Sequence, residues 1–360
     1  MFNVLKRIIE ILYKTRTEDY NYEIEEIEYE WENSEGEVKY LYENVFSDIE
    51  RTYFGIEIEF QIDKAISGEY IVNIFRTNGI EINKEIVEDR KNKGKYNSWQ
   101  LMKESTCDWE IISPILQDDI ECWRNIENVC NILKNELQAN IDEKTSIHLH
   151  IQREPLINKG KHYINLMNLY KYLEPFTYAF SAGEESEISL LRVKKYAGTL
   201  KFADKCLWSR EMSQSEAQEI IENGSNYDLI NSYFPIRLLG LNFSTRSTEY
   251  KTIEFRTFNG TLNPTIIQSY LIYVMSMINL AKQDDFDNKY KPVAIEDESG
   301  KKVLSKKYID KCLSLLTKNK MYRDRFLQPL IRNSYTISDD LYDALNGKYA
   351  EEEKRAFLLF

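Results

Sequence analysis

Four short segments of this chain alternate apolar and ionisable side chains, and this alternation constrains the fold more than any other feature of the sequence. They are FGIEIEF (54–60), STCDWEIISPIL (105–116), SIHLHIQ (146–152) and KTIEFRTF (251–258). Because successive side chains of a β-strand point to opposite faces, each segment predicts a strand with one apolar face. The opposite face of each strand carries ionisable groups two residues apart.

These ionisable side chains form a candidate site if the four strands are neighbours in one sheet. Carboxylates that are held close together are costly unless cations neutralise them. Carboxylate oxygens with an occasional imidazole suit Mg²⁺ or Mn²⁺, and an arginine beside such metals suits a transferring phosphoryl group. We therefore predict a divalent-metal site. Its candidate residues are Glu57, Glu59, Asp108, Glu110, His148, His150, Glu254 and Arg256.

Each pair has a simpler interpretation when taken alone. The acidic pairs of the first two segments would be solvated strand faces, and Glu254 with Arg256 would be an ordinary surface ion pair. His148 and His150 stand out because the chain has only three histidines. The metal site is favoured by the four segments together.

The net charge of −12 comes from one segment, because residues 17–50 hold thirteen acids and one base. The rest of the chain is balanced and has no basic stripe, which argues against nucleic acid as a partner. Alternating Glu with Ile, Tyr and Trp predicts a hairpin around a turn at NSEG (33–36), lying along a sheet edge with solvated carboxylates. Binding of a partner protein is the alternative role of this segment.

The remaining pattern predicts an α+β fold with a mostly antiparallel sheet. We expect a domain at 51–283, preceded by an N-terminal helix and acidic hairpin at 1–50 and followed by a linker and helical segment at 284–360. The predicted strands are near 52–62, 96–103, 108–116, 145–153, 236–245 and 250–258. The predicted helices are near 119–138, 162–181 and 264–282, with further helical periodicity through 303–347.

Membrane insertion and secretion are not indicated. No stretch approaches the roughly 18 uninterrupted apolar residues that a membrane span needs. Five cysteines, an odd number without C-x-x-C spacing, favour reduced thiols and a cytoplasmic protein.

Five segments between residues 54 and 280 resemble the amidoligase family, a branch of the glutamine synthetase-like carboxylate–amine ligases. The most specific is YKTIEFRTFNGTLNP (250–264), and the others are FGIEIEF (54–60), STCDWEIISPIL (105–116), TSIHLHI (145–151) and PIRLLGLNFSTR (235–246). The resemblance implies a glutamine synthetase-like antiparallel sheet with helices on one face. It also implies an ATP-dependent ligase that joins a carboxylate to an amine, either small molecules or peptides, through an acyl phosphate.

The resemblance also implies roles for individual residues. Glu57 and Glu254 would be catalytic metal ligands, joined by Glu59, Glu110 and one of His148 and His150. Arg256 would be catalytic and would contact the phosphates of ATP, with Arg246 or Arg237 as a further phosphate or acyl-phosphate contact. Asn242 and Asp108 would contact substrate. The chain departs from the family at Ser146 and Trp109, where glycine is usual, and either change is expected to narrow or reshape the pocket.

Three other functions compete with this one. His148, His150 and Glu154 have the spacing of the first metal motif of cupins, which would imply a β-barrel with a different metal chemistry. A ligase fold without activity could serve as a peptide-binding module. Cys107 could be a nucleophile, although neighbouring acids are expected to raise its pKa.

Overall fold

The computed structural model describes residues 38–87, 97–152, 160–182, 197–199, 240–242, 252–283, 294–332 and 334–346. The chain divides at Val38, and the fold described here belongs to the unit that begins there. The predicted N-terminal helix, most of the acidic hairpin, Glu154, Arg237 and Arg246 lie outside the described residues. The predicted domain boundaries stay predictions.

A six-stranded antiparallel sheet forms the centre of the fold, and the predicted α+β class is confirmed. Its order is β2-β3-β1-β4-β6-β5, and every neighbouring pair is antiparallel. The sheet is open, which disagrees with the barrel that the cupin alternative requires. The strands are β1 (Phe54–Phe60), β2 (Gln100–Glu104), β3 (Asp108–Ile112), β4 (Ser146–Gln152), β5 (Leu241–Asn242) and β6 (Thr252–Asn259).

Seven helices occur in the described residues. The predicted start of the long apolar helix is correct, because Asn263 accepts a hydrogen bond from the Thr265 amide and Pro264 occupies the first turn. The helix at Gly68–Thr77 was not predicted, although Ser67 caps it by accepting a hydrogen bond from the Tyr70 amide. The helices are α1 (Gly68–Thr77), α2 (Ile120–Asn131) with a π turn (Ile132–Glu136), α3 (Gly160–Ser181), α4 (Pro264–Ala281), α5 (Lys306–Leu316), α6 (Lys320–Arg332) and α7 (Asp339–Leu345).

Helices cover the apolar face of the sheet and leave the ionisable side chains on the other. Helix α4 packs on β4 and α3 packs on β6, while α5 and α6 pack on these two helices. Phe258 of β6 stacks on Tyr270 of α4, and Phe54 of β1 stacks on Trp123 of α2. Among the described helices only α4 is long and apolar enough to cross a membrane, but 78% of it is buried inside the protein, as expected of a core helix.

Part of the predicted linker after residue 283 is instead a β-hairpin. Strands β7 (Ile295–Glu298) and β8 (Lys301–Leu304) pair with each other, and β8 also pairs with β9 (Thr336–Ile337). Ser299 and Gly300, between β7 and β8, have φ angles of 53° and 79°. Such a two-residue turn with positive φ matches the twist of paired strands, so the Ser-Gly step closes a hairpin in a polar sequence.

The second strand of the predicted acidic hairpin is wrong from Val38 onward. Residues 38–50, which we call the strap, contain a turn and no strand. The amide and carbonyl of Leu41 pair with the side chain of Gln268 on α4 at 3.0 and 2.8 Å. The hydroxyl of Tyr322 on α6 donates to the Val45 carbonyl. Side chains of helices α4 and α6 therefore hydrogen-bond backbone groups of the strap that would otherwise be available to a neighbouring strand.

Candidate metal centre

The strand register brings the ionisable residues of four strands onto one face of the sheet. Strand β1 lies between β3 and β4, and β6 follows β4, so acidic and imidazole side chains meet across each boundary. The residues directly opposite each other are Glu59 and Glu110, Glu57 and His148, His150 and Glu254, and Glu254 and Asn242.

The four glutamates of this face are buried, which excludes the interpretation of solvated strand faces. Glu57 is 6% exposed, Glu59 5%, Glu254 5%, and Glu110 is fully inaccessible. Arg256 is likewise 5% exposed, so its pairing with Glu254 is not a surface ion pair. Buried charges are costly unless oppositely charged groups or metals compensate them. Arg256 can neutralise one of the four carboxylates.

Two groups of three side chains have the geometry of a cation site. In each group the candidate ligand atoms lie within 4.8 Å of one another. Glu57 belongs to both groups and so lies at the centre of the face. The groups are Glu57, Glu110 and His148, and Glu57, His150 and Glu254.

His148 lies between the two sides of this cluster. Its Nδ1 is 3.1 Å from Glu57 Oε2 and 4.0 Å from Glu254 Oε1. Its Nε2 is 2.9 Å from Ser146 Oγ. Burial is the main cause that lowers the pKa of the His148 imidazole below its ordinary value, and the Arg256 charge adds to this, against the opposing effect of the carboxylates.

His150 is the more accessible histidine, with its side chain 22% exposed. Its Nε2 lies 3.5 Å from Glu57 Oε1 and 3.9 Å from Glu254 Oε1. Its Nδ1 is 3.2 Å from the Thr252 hydroxyl. Both histidines therefore direct a ring nitrogen towards the same two carboxylates.

Glu254 is held from two sides. Arg256 Nη1 donates to its Oε1 at 2.5 Å, and Asn242 Nδ2 donates to its Oε2 at 2.5 Å. Burial alone would raise the pKa of Glu254, but Arg256 and the two imidazoles outweigh it and lower the pKa to about 2. Burial also opposes the charge of Arg256, yet the surrounding carboxylates raise the pKa of its guanidinium. Glu254 and Arg256 are both ionised at neutral pH.

Three further residues that the sequence singled out are Asp108, Trp109 and Cys107, and none of them belongs to the two groups of candidate metal ligands. Asp108 starts β3 with a φ of 70°, a left-handed conformation that Asp tolerates, and it is partly exposed. Trp109 does not narrow the site as expected, because it faces away from Glu110 and lies against Gly68 of α1. Burial, followed by Glu59 and Glu110, raises the pKa of the Cys107 thiol, which disagrees with a nucleophilic role.

Two hydroxyl residues belong to the site and were not among the metal-site candidates. Ser146 hydrogen-bonds Glu59 and His148, and Thr252 contacts His150. Ser146 lies two residues before His148, and Thr252 lies two before Glu254. The alternation that identified the ionisable side chains therefore extends to both hydroxyls, and it could have found them.

Comparison with known families agrees with this geometry. A family model described as a putative amidoligase enzyme matches residues 50–278. This range includes strands β1 to β6 and all four buried glutamates, both histidines and Arg256. A search of curated proteins found no match. The chain therefore belongs to the amidoligase family.

Proposed function

We propose that this protein is an ATP-dependent carboxylate–amine ligase that forms an amide or isopeptide bond through an acyl phosphate at a divalent-metal site. Membership of the amidoligase family supports an amide-forming enzyme. The observation that carries the rest is the buried face on which four glutamates, two histidines and Arg256 meet. The same face supports the cofactors that we propose, ATP with Mg²⁺ or Mn²⁺.

The donor set fits a divalent cation. Carboxylate oxygens are ligands of Mg²⁺ and Mn²⁺, and imidazole nitrogens add affinity for Mn²⁺. The residues that would hold the cations are Glu57, Glu59, Glu110, His148, His150 and Glu254. When bound, the cations would neutralise phosphate oxygens and the buried carboxylates together.

The protein's own residues would bind and orient the reactants. A carboxylate resists attack by an amine because oxide is a poor leaving group, and phosphorylation by ATP gives it a leaving group that an amine can displace. Arg256 remains charged and would stabilise negative charge on the transferred phosphoryl group. We propose Arg237 and Arg246 as further phosphate contacts.

Substrate contacts are proposed for two residues at different depths. Asn242 is buried, and its amide is already engaged with Glu254, so it would act from the floor of the site. Asp108 is partly exposed and would contact an amine at its rim. Small molecules and peptides both remain candidate substrates, and the acidic segment 17–50 is proposed as a protein-binding surface. We also propose a cytoplasmic location, which is supported by the four cysteines of the described residues, all buried and none in a disulfide.

The test is nucleotide binding followed by a screen for turnover. We expect an ATP analogue to bind in the presence of Mn²⁺ or Mg²⁺, and phosphate release from ATP to require both a carboxylate and an amine from a panel. Glu57→Gln and Glu254→Gln should each abolish turnover while circular dichroism stays unchanged. Glu174→Gln, which alters a buried glutamate on α3, is the matched control and should remain active.

Other outcomes would point to other functions. Nucleotide binding without phosphate release for any pair of substrates would favour a peptide-binding module with a ligase fold. Absence of both nucleotide and Mn²⁺ binding would contradict the proposal. Full activity of Glu57→Gln would show that the buried face is not the catalytic site.

A further inference from the structure

We propose that Gly55 is a specificity-determining residue at the accessible end of the metal centre, where an apolar ring of the carboxylate or amine substrate lies between Tyr53 and Ile115. This inference rests on the proposed function and adds a substrate class to it. It follows from the exposure of the centre along its strands, the surroundings of Gly55 and the two apolar side chains beside it.

The side chains of the metal centre differ in exposure along the strands. Towards one end, Glu59 is 5% exposed, and Glu110 and Ser146 have no exposed surface. Towards the other end, the side chain of His150 is 22% exposed. Gly55 lies directly opposite His150 on β1 and is also partly exposed. Among these residues, the approach to the centre is therefore widest beside Gly55.

Neither the backbone nor the packing requires a glycine at position 55. Gly55 does not have a positive φ angle. A methyl group on it would lie 3.6 Å from Ser113 Oγ and 3.7 Å from His150 Cβ, which are ordinary contact distances. At Gly240, by contrast, a methyl group would overlap the Tyr170 hydroxyl. Glycine weakens a strand interior and often marks the close approach of a ligand, so the missing side chain at position 55 suits a bound reactant.

Tyr53 borders this space on one side. Its carbonyl accepts a hydrogen bond from the Gln152 amide at 2.9 Å, so its backbone continues the ladder between β1 and β4. Alternation along the strand then places Tyr53 and Gly55 on the same face of the sheet as Glu57. Tyr53 is 44% exposed, which leaves much of its ring open to a ligand.

Ile115 borders the same space on the side of β3. The residues after and before Gly55 pair with Ser113 and Leu116, respectively, so Pro114 and Ile115 both lie opposite Gly55. Two residues opposite one form a β-bulge, which bends the chain and redirects its side chains. Ile115 is also 44% exposed.

These surroundings favour a substrate with one charged and one apolar part. The group of Glu57, His150 and Glu254, which could hold a cation, borders Gly55. A reacting carboxylate or amine near this group would direct its substituent over Gly55 and between the two exposed side chains. Burial of an apolar ring there stabilises binding, and contact with the tyrosine ring adds to it.

The experiment uses two probes that share a metal-binding head, acetohydroxamate with a methyl group and benzohydroxamate with a phenyl group. With Mn²⁺-loaded wild-type protein, calorimetry should show that benzohydroxamate binds about 10-fold more tightly than acetohydroxamate. Gly55→Leu should remove this preference and leave the affinity for Mn²⁺ unchanged. Tyr53→Ser should reduce the preference. Tyr70→Ser, at an exposed tyrosine on α1, is the matched control and should keep it.

Gly55→Ala tests the role of the glycine in metal-free protein. We expect its urea midpoint to equal or exceed that of wild type, because alanine has room at this position and restricts the unfolded chain. A clearly lower midpoint would show that the fold itself needs this glycine, and it would overturn the proposal.

The remaining outcomes separate this inference from the proposed function. Equal affinities of wild type for the two hydroxamates, or an undiminished preference in Gly55→Leu and Tyr53→Ser, would overturn the inference alone. Loss of ATP-analogue binding in Gly55→Leu with the phenyl preference intact would assign the space to the nucleotide and also overturn it. The expected preference without ligase activity would support the inference and count against the proposed function. Failure of Mn²⁺ to bind would overturn both.

Discussion

Glu254 links the electrostatics of the site to the pH dependence of folding. Its folded-state pKa of about 2 lies below the ordinary value of 4.5, because Arg256 and the two imidazoles outweigh the effect of burial. A depressed acid pKa contributes stability above the unfolded-state value. That contribution is lost as the pH falls from about 4.5 to about 2.

In metal-free protein we therefore expect the free energy of unfolding to fall across this window by on the order of 3 kcal/mol from Glu254. The lowered pKa of His148 adds a loss that begins below about pH 6.5, because the unfolded chain binds its proton more readily. Urea unfolding between pH 2 and 7 in the presence of EDTA measures both.

In Arg256→Met the loss of unfolding free energy between about pH 4.5 and pH 2 should be smaller than in wild type, because the main group that lowers the folded-state pKa of Glu254 is gone. Arg76→Met, at an exposed arginine on α1, is the control and should leave the pH profile unchanged. An identical profile for Arg256→Met and wild type would contradict the assigned cause.

Asn242 allows a test of charge crowding at nearly constant shape. Asn242→Asp replaces the amide that donates to Glu254 with a second carboxylate at the same place. We expect metal-free protein to lose about 2–4 kcal/mol of unfolding free energy, because a hydrogen bond becomes a repulsion between buried charges. Mn²⁺ should restore part of the loss, as measured by urea unfolding with and without the ion.

Asn165→Asp is the control for this substitution. Asn165 is also buried, but its amide donates to the backbone carbonyls of Ala281 and Gln283 and not to a carboxylate. Its loss of stability should not respond to Mn²⁺. Equal recovery of both variants would show that the ion does not act at Glu254.

At the scale of elements, the strap shows how a side chain can replace a strand partner. Gln268 lies on α4 with no exposed surface and pairs with both backbone groups of Leu41. Gln268→Leu should lower the free energy of unfolding by about 2 kcal/mol, because two hydrogen bonds are lost and their backbone partners are desolvated. Hydrogen exchange of the Leu41 amide should accelerate by more than global unfolding explains.

Ser276→Ala, on the same helix, should not accelerate exchange at Leu41. Unchanged exchange in Gln268→Leu would mean that other contacts of the strap hold it, such as Tyr322 with the Val45 carbonyl.

The elements that could be predicted are those whose pattern is local. Strands β1, β3, β4 and β6 followed from alternation, and α4 from an Asn-Pro start and a continuous apolar run. The β7–β8 hairpin was missed because its strands are polar and exposed, so only the Ser-Gly turn marked it. The strap was wrongly predicted to be a strand because its apolar and polar residues alternate. In the structure, Gln268 of α4 binds the backbone groups of Leu41 that a neighbouring strand would have paired.

At the scale of the molecule, the residue types of the candidate site could be predicted from the sequence, but their arrangement in space could not. The sequence identifies acids and imidazoles on one face of each strand, but strand order and register decide which ones meet. Glu57 meets His148 only because β1 and β4 are neighbours in antiparallel register. Trp109, by contrast, lies on the face opposite to Glu110 as the alternation predicts, and the sequence did not show that it packs against Gly68 of α1.

We expect this arrangement to make the stability of the fold depend on divalent cations at the proposed metal site. Crowded buried carboxylates destabilise the metal-free fold, and a ligand that binds only the folded state stabilises it by about 2.7 kcal/mol at 100 times its Kd. Mn²⁺ should therefore raise the Tm by several degrees in calorimetry. Mg²⁺ should raise it less, because the imidazoles of His148 and His150 favour Mn²⁺.

Glu57 belongs to both candidate groups, so its neutralisation should separate stability from function. Glu57→Gln keeps the shape of the side chain and removes a negative charge, so we expect a higher metal-free Tm than wild type and no rise with Mn²⁺. Glu174→Gln should keep the Mn²⁺-dependent rise. A lower metal-free Tm for Glu57→Gln would show that protein contacts, and not a cation, compensate this carboxylate. The expected result would mean that the chain gives up stability at this face in order to bind the ion.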